Sequence, residues 1–120
     1  MAKNLKDLLQ KHFTQDKPVA APAMTIDGNQ FFVKLLNVGS FSDYLQKADD
    51  WREKHKNESE NPYLLSLILC DEQGNSLFDG DKPEDLAFLA SLPYWIWTEC
   101  NKAFNLANFG KKPEEEEQSE

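Results

Sequence analysis

Residues 69–108 read LCDEQGNSLFDGDKPEDLAFLASLPYWIWTECNKAFNLAN, and the order of breaks within this stretch decides the fold. Asp71-Glu72-Gln73-Gly74-Asn75-Ser76 is a turn, with side chains that hydrogen-bond local backbone and a glycine that frees it. Leu77-Phe78 is apolar again, and Asp79-Gly80-Asp81 turns a second time. Asp81 and Glu84, on either side of Pro83, predict the N-cap and N3 positions of a short helix. Leu86, Leu89 and Ala90 form its apolar face. Ser91-Leu92-Pro93 then breaks the chain and restarts it as a longer helix that runs to about Asn108. Ile96, Trp97, Cys100, Ala103, Phe104 and Ala107 make a wide core-facing stripe on that helix. Trp95 and Leu106 project away from the stripe, near Glu99 and Lys102, and Phe109 joins them as an exposed apolar candidate. Either they pack under the N-terminal arm or they form a partner patch. Gly110 stops the helix.

Working back toward the N-terminus, Tyr63 to Cys70 is almost wholly apolar. Periodicity does not separate buried helix from buried strand there. Asn61-Pro62 favours helix, with Asn61 as N-cap and Pro62 in the first turn. Ser40 and Asp43 predict the start of the preceding helix. Phe41, Tyr44, Leu45, Ala48 and Trp51 line one side of it, and charged residues cover the rest. His55 falls in its charged last turn and reads as a solvated surface residue, as does His12.

Asp27-Gly28 favours the positive φ of a tight hairpin turn, between a very short strand near Met24 to Ile26 and a second from Phe31 to Leu35. TQDKPVAAPA, residues 14–23, reads as a linker. Before it, Leu5, Leu8, Leu9 and Phe13 recur at helical spacing and predict an amphipathic helix over 3–13. Such a helix is marginal alone and must dock on the body or on a partner. The expected fold is therefore α+β and mainly α-helical, with a small N-terminal β-hairpin followed by about four helices in one compact domain. Residues 1–13 are an amphipathic helical arm, 14–23 a linker, 24–109 the globular domain and 110–120 a disordered acidic tail.

The net charge of −8 bounds the partners. Residues 111–120 hold five Glu against two Lys, so the rest of the chain is acidic as well. Such a surface repels nucleic acid and suits a neutral or basic protein partner. The start, MAKNLKDLLQKHF, is charged throughout and lacks the apolar core of a signal peptide. No run approaches the roughly 20 apolar residues of a membrane span. A cytosolic protein is therefore expected. Cys70 and Cys100 sit among apolar residues and read as buried free thiols.

Catalytic and metal-binding patterns fail one by one. The two histidines are in separate segments, and the cysteines lack CxxC spacing. There is no phosphate-binding glycine loop. The acidic run from Asp71 fails the calcium loop, because Gly74 stands at the fourth position rather than the sixth and no Glu stands at the twelfth. No cofactor, metal or catalytic residue is expected, and the chain reads as a binding protein rather than an enzyme.

Four pieces occur in a characteristic order: the apolar segment ending at Cys70, the turn Asp71-Glu72-Gln73-Gly74-Asn75-Ser76-Leu77-Phe78, the acidic start Pro83-Glu84-Asp85, and Leu89-Ala90-Ser91-Leu92-Pro93 before a final helix. In that order they resemble the tail assembly chaperones of long-tailed, siphovirus-type bacteriophages. The Phe32-Val33-Lys34-Leu35 strand ahead of the Phe41-containing helix fits the same layout, so the resemblance spans most of 24–108. The N-terminal arm and the Trp95/Trp97 pair lie outside the pattern.

The resemblance implies a non-enzymatic protein of the host cell cytoplasm. It would bind and solubilise the long apolar tape measure protein, help recruit tail tube subunits, and be absent from the finished virion. Many members also occur as a longer form made by a −1 ribosomal frameshift. Gly110-Lys111-Lys112 can be encoded as GGA AAA AAG, which contains a slippery heptamer just after the last helix. The candidate contact residues are Leu5, Leu8, Leu9, Phe13, Trp95, Leu106 and Phe109, and self-association is compatible with the reading. The competing expectation is a small acidic adaptor or inhibitor, including a DNA mimic. The interleaving of Lys with Asp and Glu counts against the mimic.

Overall fold

In the computed structural model the described residues are 4–13 and 19–110, the side chains of residues 12 and 13 excepted. Their elements in order are α1 (Leu5–Phe13), β1 (Ala20–Ile26), β2 (Asn29–Lys34), α2 (Val38–Lys54), α3 (Asn61–Ile68), β3 (Leu69–Cys70), α4 (Pro83–Ala90) and α5 (Tyr94–Phe109). The strands form an antiparallel sheet in the order β1-β2-β3. The class is the α+β one expected, with a hairpin followed by four helices. No helix among the described residues is long and apolar enough to cross a membrane.

The hairpin turns where the sequence places it. Asp27 and Gly28 both have positive φ, 52° and 79°, as a two-residue type I′ turn requires, and Ile26 pairs with Asn29 across it. The first strand is much longer than expected, however. It begins at Ala20, inside the segment read as a linker, while residues 14–18 of that segment lie outside the described residues. Pro22 is tolerated because β1 is an edge strand, and a bulge between Pro22 and Met24 absorbs the irregularity.

Helix starts are displaced from their expected positions for physical reasons. α2 begins before Ser40, because Asn37 is its N-cap. Asn37 Oδ1 accepts from the Ser40 backbone N–H at 2.7 Å, and Ser40 Oγ accepts from that of Asn37 at 2.9 Å. Ser40 is thus the N3 partner of the capping box, not its N-cap. Asn61 lies within the first turn of α3 behind Glu60, and Lys82 rather than Asp81 precedes α4. Asp85 Oδ2 instead accepts from the Asp79 backbone N–H at 2.8 Å, tying the preceding turn to the first turn of α4.

The ambiguous apolar run resolves into both alternatives. Tyr63 to Ile68 is helical, then Leu69 and Cys70 become a strand paired with Val33 and Phe32. The core forms around this junction from Val33, Leu65, Ile68, Leu69, Leu89, Ile96, Cys100 and Phe104. α5 packs on β1 and β2, while α3 packs between α4 and α5. Ala107, expected on the core stripe, is exposed, and so is Leu45 on α2.

Candidate protein-interaction surface

One face of α5 is fixed by burial. Ile96, Cys100 and Phe104 lie in the core, and Asn108 anchors the last turn. Its Oδ1 accepts from the Leu36 backbone N–H at 2.8 Å, and its Nδ2 donates to the Lys34 and Phe104 carbonyls, each at 3.0 Å. The opposite face is therefore held in a defined orientation toward solvent. It carries Tyr94, Trp95 (50% exposed), Leu106 (64%) and Phe109 (56%). Trp95 and Leu106 fall on one azimuth, about 16 Å apart along the axis, with Glu99 and Lys102 between them.

Leu106 and Phe109 share a shallow hollow of about 580 Å³ with Tyr94, Trp97, Asn101 and Lys102, and Trp95 stands outside it. Phe109 is not a free side chain. It meets Phe41 of α2 edge-on at 5.3 Å and Phe104 at 6.3 Å. The structure thus brings together Leu106 and Phe109 but does not gather the expected residues into one patch. Leu5, Leu8 and Leu9 are exposed along α1. Among the described residues no hydrogen bond or ion pair joins α1 to residues 19–110. The side chain of Phe13 lies outside the described residues.

A larger open groove of about 1180 Å³ runs between α2, α3 and α4. Its floor includes Trp51, Tyr63, Leu67, Phe78 and Leu86. Trp51 stacks on Tyr63 at 5.4 Å and on His55 at 4.2 Å, both nearly parallel. His55 is consequently half-buried, with Nδ1 3.0 Å from the Trp51 carbonyl, rather than the solvated residue expected. Burial raises the Tyr63 hydroxyl above its ordinary value, as it does that of Tyr44 outside the groove. Residues from three elements converge here, and no single-segment pattern signals that. The exposed Phe88, stacked on Phe78 at 5.6 Å, was likewise missed, because its helix reads as core-facing through Leu86, Leu89 and Ala90.

Both thiols are free and buried, and burial pushes each up to about 11. Asp71 is held below its ordinary value chiefly by the Asn75 backbone N–H, with the Gln73 N–H assisting. It serves its own turn. Among the described residues no three His, Cys, Asp or Glu side chains converge as a metal site would require. The arrangement offers helical apolar faces and an aromatic groove, which suits contact with another protein. Compared with known protein families, curated proteins and solved structures, the chain shows no match.

Proposed function

We propose that this protein is a phage tail assembly chaperone that binds and solubilises a long, apolar, helical tape measure protein. The observation that carries the reading is the outer face of α5, where Trp95, Leu106 and Phe109 stay exposed while the other face of the helix is buried and pinned by Asn108. A rigid helix with spaced apolar anchors suits packing against a second helix. The order of sequence motifs supplies the family resemblance. The net charge of −8 would keep a complex of many copies soluble.

The test is co-expression with the longest coiled-coil-like protein encoded nearby, followed by pull-down from the soluble fraction. Rescue of that partner with many copies bound per chain is expected. Trp95→Ser with Leu106→Ser should weaken capture and leave the melting temperature nearly unchanged. A partner that stays insoluble and unbound refutes the chaperone reading. A large loss of melting temperature would instead assign the two side chains to the fold.

A further inference from the structure

α1 has only nine residues, too few to be stable as an isolated helix in water. Asn4 caps it, its Oδ1 accepting from the Asp7 backbone N–H at 3.2 Å, yet Leu5, Leu8 and Leu9 remain exposed. At helical spacing Lys6 and Lys11 fall on the two margins of that leucine stripe. Residues 1–18 carry four Lys against two Asp, whereas residues 19–110 carry fourteen Asp and Glu against seven Lys and Arg. A basic amphipathic arm is thus attached to a strongly acidic body.

The body presents a face of the complementary kind. Phe88 of α4 is 51% exposed and stacks on Phe78 at 5.6 Å, beside the exposed Leu77. Asp79, Asp81, Glu84 and Asp85 surround this pair in the chain, with Lys82 as the single opposing charge in 77–88. No described Lys or Arg lies within ion-pair distance of those four acids. The leucine stripe and the Phe78–Phe88 face are open in the same chain, so neither covers the other. We propose that α1 of one copy docks on the Phe78–Phe88 face of a second copy, its leucines on the rings and its lysines toward the acids. Reciprocal exchange would give a two-fold dimer with two identical contacts. The inference does not rest on the chaperone reading, and it leaves the outer face of α5 free for another protein.

The test uses the full chain in sedimentation velocity over a hundredfold range of concentration, with variants in the arm and in the face. A concentration-dependent dimer is expected. Leu8→Ser and Phe88→Ser should each weaken it by about tenfold or more, and a mixture of the two should recover part of the association through one intact contact. Because these changes alter apolar groups, a charge test accompanies them. Lys6→Glu with Lys11→Glu should dissociate the dimer, and Asp81→Lys with Glu84→Lys in the same chain should restore it. Circular dichroism of each variant checks that the body stays folded. A chain that is monomeric throughout the range overturns the proposal. So does a dimer indifferent to both Leu8→Ser and Phe88→Ser, or a charge reversal that the second reversal fails to rescue.

Discussion

Replacing Gly80 with Ala tests how tightly the Asp79–Asp81 turn is seated on α3. A Cβ at position 80 would lie 2.6 Å from Ser66 Oγ, 2.7 Å from Tyr63 Cε1 and 2.9 Å from Tyr63 Cδ1. Ordinary contact begins near 3.4 Å, so the turn or its floor must move by about 0.8 Å. Neither neighbour yields easily. Ser66 is buried and its hydroxyl donates to the Tyr63 carbonyl at 2.5 Å, and Tyr63 is buried and stacked on Trp51. Gly80 does not have positive φ, so the substitution probes space and not backbone strain. Overpacking of this kind costs about 2 kcal/mol, or about 10 °C in Tm for a domain of this size. Urea denaturation followed by tryptophan fluorescence reads the change, since Trp51 lies one ring away. Ser66→Ala removes the nearest clash but leaves the tyrosine ring. The Gly80→Ala penalty should therefore shrink by about 1 kcal/mol in that background. A Gly80→Ala protein within about 0.5 kcal/mol of the parent would show that the turn does not rest on Tyr63, and the reasoning would fail.

Asn37→Ala removes the half of the α2 capping box in which Asn37 Oδ1 accepts from the Ser40 N–H, and leaves Ser40 Oγ accepting from the backbone N–H of residue 37; a loss of about 1 kcal/mol in chemical denaturation is expected. Asn108→Ala leaves the Leu36 N–H and the Lys34 C=O without their side-chain partner, and should cost about 1–3 kcal/mol while speeding amide exchange at Leu36. Cys70 and Cys100 should resist Ellman's reagent at pH 8 until denaturant is added, because both are buried and neutral. Their folded values of about 11 stand above the ordinary 9.0, so the folded state holds protons that the unfolded state releases first. Their stabilising contribution is complete below pH 9 and is lost as pH rises toward 11, which a denaturation series across that range measures. For the outer face of α5, the Trp95→Ser and Leu106→Ser pair should reduce partner capture at nearly constant melting temperature, as set out above.

The local code of this chain is legible wherever one residue type has one physical use. Asp27-Gly28 demands positive φ and turns the hairpin; Pro83 and Pro93 restart helices; Ile96, Cys100 and Phe104 repeat at the helical period and are buried. The exposure of Trp95 and Leu106 follows from the same period, since the helix that buries the stripe must turn them outward. The tertiary structure decided what depends on neighbours distant in sequence. Leu69 and Cys70 leave the helix because β2 offers them Val33 and Phe32 as strand partners. Ala20 to Ala23 join a strand despite Pro22 because the outer edge of β1 needs no partner. His55 is drawn from solvent by the ring of Trp51, and Phe88 is left open because Leu89 and its neighbours already fill the core side of α4. Spacing along the chain determines which way a side chain leaves its own backbone; only the packing of other elements determines whether anything is there to meet it.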